Sequence, residues 1–408
     1  MKIAHFPGNF LPTLGGAEIA SHNIVQNLSN LGNDVSVIVT DKRAHKLKSK
    51  FPEEISYEII SLLPKTLGIL KKTNKLGINF GKLIYKQIDS LQRKYNFDVW
   101  HFNLAKEQAL FTLPFLKENK IPSVVTCQGT DIQVLEEVSY GHRMDSWYNK
   151  LFEKNIILAD HFTAISESVK DEYIKLGVLE KDICDIPNGV DFNKINSCIS
   201  KENLRTKFGW PDNKKIILTV GRNHPKKGYI FIPEIVKELL KLRDDFLWVI
   251  VGRGCDNISK KSKDLGVGNW ILCMNELGLN RKNKSTLNLP TEDLIMAYKS
   301  SDIFAFPTLI ETFGTVQVEA MAAGLPVITT DAPGARDIVK HEENGLKSKV
   351  KDVLAMAVNI DRVLSDQGLY DRLSHNALNF SKEYSWLEIA KKYLKSFEIA
   401  INKTNNNG

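Results

Sequence analysis

The stretch Glu311-Thr-Phe-Gly-Thr-Val-Gln-Val-Glu319-Ala-Met-Ala-Ala-Gly324-Leu-Pro-Val327 decides how this chain is read. Two carboxylates with seven residues between them straddle a helix start led by Gly314. An apolar strand, Ile303-Phe-Ala-Phe-Pro307, precedes it, and a second, Pro326-Val-Ile-Thr-Thr330, follows. At about 1.5 Å of rise per residue, Glu311 and Glu319 lie at most roughly 12 Å apart along a helix. That is the reach from a sugar, across a diphosphate, to a ribose. The backbone N–H groups of Phe313, Gly314 and Thr315 fall at the helix N-terminus, where anions bind readily. The order is a hydroxyl acceptor, a phosphate cradle and a diol acceptor, which is a nucleotide-sugar site in outline.

The same alternation of strand and helix runs through the whole chain. Strand candidates in the first half are Lys2–Phe6, Asp34–Thr40, Ser56–Ile60, Asp98–Phe102, Ser123–Thr126, His161–Ile165 and Cys184–Ile186. Between the first two, Ala17 to Leu31 sets Ile19, Ile24, Val25, Leu28 and Leu31 near one face, as an amphipathic helix does. A second series holds Lys215–Val220, Phe246–Val251, Trp270–Met274, Ile303–Phe306 and Pro326–Thr330, with helices between them such as Tyr229 to Leu242. This pattern predicts an α/β protein whose parallel sheets carry helices on both sides. A chain of 408 residues outgrows one hydrophobic core, so two domains are expected. Polar residues replace strand periodicity from Asn193 to Lys201, which divides the chain into 1–192 and 193–384. The polar tail from Asn402 to Gly408 reads as disordered.

Composition narrows the class. With 43% hydrophobic and 25% charged residues the chain is an ordinary globular one. Five scattered cysteines (Cys127, Cys184, Cys198, Cys255, Cys273) form no Cys-x-x-Cys pair. That argues against a disulfide framework or a zinc knuckle and suits a reducing cytosol. Pro7 and Gly8 interrupt the N-terminus before a signal-peptide apolar region could form. No run of about eighteen apolar residues occurs, so no membrane span is expected. The net charge of +7 is concentrated from Lys65 to Lys86. There Lys65, Lys71, Lys72, Lys75, Lys82 and Lys86 interleave with apolar residues. Such a stretch can dock peripherally on an anionic membrane surface. It also fits a solvated helix pair with its apolar side turned inward. No zinc, helix-turn-helix or RNA-binding signature accompanies the charge, so a nucleic-acid partner is not expected.

Further motifs are collinear with the first. Gly15-Gly16-Ala17-Glu18 opens the first helix, Ile186-Pro-Asn-Gly-Val-Asp191 stands mid-chain, and Val220-Gly-Arg222-Asn-His-Pro-Lys-Lys227-Gly228 follows a strand. Alone, each is ordinary: a glycine pair after a strand is more often a tight turn, and Arg222 and Lys227 read as surface charges. In this order they resemble the retaining glycosyltransferases of family 4, whose signature is Glu-x7-Glu. The resemblance implies a GT-B fold: two Rossmann-like, doubly wound domains facing an interdomain cleft. The closing helix, from Ser385 onward, would cross back to the first domain. The first domain would take the acceptor and the second the nucleotide sugar.

Cleaving a nucleoside diphosphate sugar adds charge to the leaving diphosphate, so fixed cations there lower the barrier. Arg222 offers a planar fork and Lys227 a point charge. By the resemblance, Arg222 and Lys227 hold the diphosphate, with Gly15 and Gly16 closing over it. Glu319 takes the ribose diol and Glu311 a donor-sugar hydroxyl. The resemblance also implies retention of anomeric configuration and catalysis without metal or other cofactor. No Asp-x-Asp occurs in the chain. The product would be a surface polysaccharide or glycolipid precursor, built on a sugar or lipid-linked acceptor.

Two departures bear on specificity. Where many family members have His-Gly-x-Asp, this chain has Gln128-Gly-Thr-Asp131. Gln128 can bond a sugar hydroxyl but carries no charge or transferable proton. A polar insert, Glu276 to Asn288, lies where base-contacting backbone is expected, so uracil and guanine stay open. Gly252-Arg-Gly254 lacks the third glycine of a dinucleotide fingerprint. His101 reads either as a residue facing an acceptor pocket or as a satisfied structural histidine. Alternatives to the transferase are an isomerase resembling nucleotide-sugar 2-epimerases and a non-catalytic donor-binding partner subunit.

Overall fold

Apolar runs that are buried on both faces build two all-parallel sheets, as strands flanked by helices must. The computed structural model describes residues 1–13, 15–40, 46–51, 54–62, 69, 71–74, 82–197, 204–278 and 289–406. The Lys65–Lys86 stretch and the insert from Glu276 lie largely outside these residues, and Cys198 lies wholly outside them. The chain divides into one unit of Met1–Asn188 with Trp386–Gly408 and another of Gly189–Ser385.

In the first unit the strands are β1 (Lys2–Pro7), β2 (Asp34–Val39), β3 (Glu58–Ser61), β4 (Val99–Asn103), β5 (Ser123–Thr126), β6 (His161–Ala164) and β7 (Ile183–Asp185). Their spatial order is β3-β2-β1-β4-β5-β6-β7. The winding reverses between β1 and β4, which pair Phe6 with Phe102. In open sheets a ligand crevice forms at such a reversal, beyond the carboxyl ends of the strands. Here those ends are Gly8 and Asn103.

The second unit repeats the plan with β8 (Lys215–Val220), β9 (Phe246–Val251), β10 (Ile271–Met274), β11 (Ile303–Phe306), β12 (Val327–Thr330) and β13 (Gly345–Ser348). Their order is β10-β9-β8-β11-β12-β13. The reversal lies between β8 and β11, so their ends, Gly221 and Pro307, mark the crevice. Buried Trp248 donates to the Thr219 hydroxyl at 2.9 Å, and Thr219 donates to the Ala305 carbonyl at 2.6 Å. That chain of satisfied polar groups ties β9, β8 and β11 together just below the crevice.

Two expectations change. The polar tail is helical: the closing helix Trp386–Asn406 runs through Asn402. Lys403 anchors it, bonding the Asp160 carbonyl at 2.9 Å and the Asp182 carboxylate at 2.8 Å. The helix packs on the first unit, where Tyr393 and Phe397 lie 5.0 and 5.2 Å from the His101 ring. The helix expected from Tyr229 to Leu242 is shorter. A 3-10 turn at Tyr229–Phe231 follows left-handed Gly228, and the α-helix Ile232–Leu239 starts where Pro233 fits a first turn. Among the described residues no helix is long and apolar enough to cross a membrane.

Candidate active site

The loop after β8 is folded by its glycines and by His224. Gly228 has φ +65°, and a Cβ there would lie 1.9 Å from the Pro307 carbonyl oxygen, so only glycine lets the loop lie against the end of β11. His224 Nδ1 accepts from the Lys226 N–H at 3.3 Å and starts the short turn Pro225–Lys227. The Lys226 carbonyl accepts from the Leu309 N–H at 2.8 Å and the Thr308 hydroxyl at 3.0 Å. These bonds join the β8 loop to the β11 loop.

The result is a charge cluster at the crevice. Glu311 is buried, and its carboxylate meets Lys227 Nζ at 2.6 Å and Lys226 Nζ at 3.4 Å. Burial alone would raise the Glu311 pKa; the ammoniums of Lys226 and Lys227 overcome it and hold it below the ordinary value. Lys227 is itself lowered, chiefly by burial, and its Nζ sits 4.8 Å from the Phe306 ring centroid. The His224 pKa is lowered by burial, then by Lys226, Arg222 and Lys227, with Glu311 opposing. All four charged groups therefore share one neighbourhood, and Arg222 is exposed to solvent there.

Beyond Glu311 the helix Thr315–Ala322 begins, capped by Gly314 at φ +80°. In its first turn the Gln317 N–H donates to the Gly314 carbonyl at 2.8 Å, and the amides before it have no intrahelical acceptor. Phe313 is buried, its ring 5.8 Å from that of Tyr384. Glu319, on the same helix, accepts from the Tyr298 hydroxyl at 2.8 Å. Burial raises the Glu319 pKa to about 7, with the Tyr298 bond pulling the other way. The folded state thus keeps this proton after the unfolded chain has lost it. Stability is expected to fall as pH rises from the ordinary carboxyl range through about 7. Urea titrations across that range should show the slope, and Glu319→Gln should flatten it.

In the first unit, Gly15 and Gly16 open the helix Gly16–Asn30 without a side-chain cap. A Cβ on Gly15 would meet the Glu18 carboxylate at 2.5 Å, whereas among the described residues a Cβ on Gly16 would meet nothing within 4 Å. Gln128 lies after β5 and donates to Asn103 Oδ1 at 2.8 Å and Asn188 Oδ1 at 3.3 Å. It accepts from Asn188 at 3.0 Å, so it stands in a cluster of carboxamides. The Nδ2 of Asn103 is buried with no partner among the described residues. His101 lies on β4, fully buried, and bonds His5 at 3.0 Å and Thr126 at 2.8 Å. It is a structural histidine.

Glu311 and Lys227 are in contact, Glu319 has its own partner in Tyr298, and Gln128 belongs to the other unit. Sequence reading did not single out Lys226, which stands beside Lys227 in the loop. Nor did it single out Asn103, the last residue of β4, or Asn188 within the Ile186–Asp191 motif. Gln317 carries no signal at all, yet it is fully buried and neither side-chain polar atom finds a partner among the described residues.

Comparison with known proteins agrees with this layout. Residues 14–194 match the model of Glycosyltransferase Family 4, and residues 200–380 match that of Glycosyl transferases group 1. An uncharacterized glycosyltransferase of Methanocaldococcus jannaschii is 32% identical over 58% of this chain and 59% of its own length, less than two thirds of that relative. The UDP-Gal:alpha-D-GlcNAc-diphosphoundecaprenol alpha-1,3-galactosyltransferase of Escherichia coli is 25% identical over 98% of this chain and 97% of its own. The structure of HepE from Anabaena in complex with UDP-glucose superposes with TM-score 0.72 at 19% identity, covering 98% of this chain and 100% of HepE. With the two parallel sheets, that likeness identifies the fold as GT-B. The chain belongs to the glycosyltransferases, a Family 4 half followed by a group 1 half.

Proposed function

We propose that this protein transfers a hexose or N-acetylhexosamine from a nucleoside diphosphate sugar to an acceptor hydroxyl, with retention and without metal. The observation that carries the reading is the contact of Lys226 and Lys227 with buried Glu311 at the β8–β11 reversal, beside the helix that starts after Gly314. Three cations (Arg222, Lys226, Lys227) against one ionised carboxylate leave an excess suited to a diphosphate. On binding, the lysines divide between Glu311 and the phosphates, and Glu311 accepts a donor-sugar hydroxyl. A leaving phosphate oxygen then takes the acceptor proton, so no side chain acts as nucleophile. The second unit holds the donor and the first the acceptor. The names of the relatives favour a lipid-linked acceptor in polysaccharide or glycolipid synthesis, and a UDP donor. A peripheral membrane contact through Lys65–Lys86 would serve such an acceptor.

A panel of UDP- and GDP-sugars, assayed for nucleoside diphosphate release, tests this. Release that an acceptor stimulates, that a chelator leaves intact, and that gives product of unchanged anomeric configuration is the expected result. Interconversion of the sugars would mean an isomerase, and tight binding without turnover a partner subunit. Ionised Glu319 accepts ribose hydroxyls better than the neutral acid. UDP affinity is therefore expected to rise as pH passes about 7, and Glu319→Gln to remove that rise.

Gly16 supplies a sharper test. Among the described residues nothing lies within 4 Å of its missing Cβ, so Gly16→Ala should be neutral or stabilise the helix by up to about 1 kcal/mol. An anion approaching the backbone there would meet the methyl. Turnover is expected to fall about tenfold or more, the loss of one charge-assisted hydrogen bond, while the melting temperature holds. Unchanged turnover would remove Gly16 from the site.

A further inference from the structure

Two cysteines outside the charge cluster lie together under the loop that bears Arg222. Cys255 ends the turn after β9 and precedes the helix Asp256–Asp264; it is 7% exposed, with its thiol 3.6 Å from the Gly252 carbonyl oxygen. Cys273 is half-buried on β10, the edge strand beside β9, its Sγ 4.0 Å from the Cys255 carbonyl oxygen. With its sulfur against the Cys255 backbone, Cys273 is the neighbour of Cys255 at the β9–β10 edge. The neighbouring Cys255 thiol holds the Cys273 thiol below its ordinary pKa, against burial and aided by Ser259, while Cys273 and burial raise Cys255. A lowered, partly accessible thiol beside a second one is the arrangement of a reactive dithiol.

The turn carrying Cys255 is also the seat of the Arg222 loop. The Gly221 N–H donates to the Val251 carbonyl at 2.9 Å, and the Asn223 N–H to Arg253 at 2.9 Å. The Asn223 amide reaches Gly254 O at 2.7 Å and Asn257 Oδ1 at 2.8 Å. A Cβ on Gly252 would lie 2.0 Å from the Gly221 carbonyl oxygen, so the turn and the loop touch backbone to backbone.

We propose that Cys255 and Cys273 are a modification site, a dithiol that a low-molecular-weight disulfide converts to an intrachain disulfide, weakening nucleotide binding through the Arg222 loop. The Cys273 thiolate attacks one sulfur of the reagent, forming a mixed disulfide and releasing one small thiolate. Cys255, losing its proton to solvent, attacks the Cys273 sulfur and releases the second. Two protein S–H bonds are exchanged for one S–S bond, and the reagent is reduced to two thiols. A disulfide holds its sulfurs about 2.05 Å apart, closer than any non-bonded sulfur pair, so closure shifts the 252–257 turn on which Asn223 is seated.

The binding half of this proposal rests on the reading that the Arg222 loop holds the nucleotide. The test uses the full chain incubated with oxidised glutathione, acid-quenched, alkylated and digested with trypsin. Mass spectrometry should find the peptide Gly254–Lys260 joined to Asp264–Arg281 by a bond that dithiothreitol reverses. Oxidised protein should bind UDP about 3- to 10-fold more weakly, the effect of one modest hydrogen bond. Cys273→Ser should abolish both changes while binding UDP normally when reduced. Free alkylated thiols at both positions, reaction only at Cys184 or Cys127, or a cross-link that leaves UDP affinity unchanged would each overturn the proposal. If even the reduced protein fails to bind UDP, the functional reading falls, and the cross-linked peptide still decides whether the dithiol exists.

Discussion

Lys227→Met is expected to lower turnover by about 10²- to 10³-fold, the usual loss when one preorganised stabiliser of a developing anion is removed. Methionine keeps the apolar stem above Phe306 and deletes only the charge. Two effects then add. The leaving diphosphate loses a cation, and Glu311 loses its nearer lysine while Lys226 stays at 3.4 Å. A buried carboxylate stripped of its nearer partner is costly, so stability should fall as well. The two effects separate in the double variant Lys227→Met/Glu311→Gln, which removes the stranded charge. Stability should return in that variant while turnover stays low. Lys226→Met, which loses the longer contact, should cost about tenfold, as one ordinary hydrogen bond to a charged group does. If Lys227→Met retained more than about a tenth of wild-type turnover, the leaving-group role would pass to Arg222 and Lys226.

The parts of this fold that were legible in the sequence are those where burial leaves a continuous apolar run. Phe246–Val251 and Lys215–Val220 begin and end where their runs do. β13 had no such mark. Gly345-Leu-Lys-Ser contains no β-branched residue, and it becomes a strand because Val327 and its neighbours offer a free edge. Gly345 is needed there, since a Cβ would lie 2.4 Å from the Val327 carbonyl oxygen. The order of the site motifs could be read because they follow strand ends. What joins them could not. That Lys226 turns toward Glu311 depends on His224 and Gly228 in its own loop and on the Thr308 hydroxyl, 82 residues away along the chain. The carboxamide cluster is equally non-local, drawing Asn103, Gln128 and Asn188 from the ends of three strands. A polar residue past a strand end is a common thing, and only the sheet order shows which ones meet.

Asp131→Ala should produce the largest loss of stability among single changes in the first unit, about 3–5 kcal/mol, because several backbone donors are orphaned at about 1–3 kcal/mol each. The Asp131 carboxylate is fully buried and accepts the N–H groups of Ala105 at 2.8 Å, Gln128 at 3.0 Å and Gly129 at 2.8 Å. Burial raises its pKa, with the N–H groups of Ala105 and Gly129 among those opposing the rise. The site depends on the same bonds. Leu104, between Asn103 and Ala105, has φ +63°, a strained conformation for leucine. Ala105 is held on both sides, its N–H by Asp131 and its carbonyl by the Tyr148 hydroxyl at 2.8 Å. Strain of this kind persists only where the surroundings over-determine it. Without Asp131, Leu104 can relax, and Asn103 and Gln128 shift with it. Urea denaturation measures the first effect. The second should appear as lost turnover at denaturant-free conditions where the variant is still folded. Tyr148→Phe removes the other tether and should show a smaller loss of about 1 kcal/mol with the same direction in turnover. If Asp131→Ala unfolds within about 1 kcal/mol of wild type, water reaches those donors, and the strain at Leu104 is held by something other than this carboxylate.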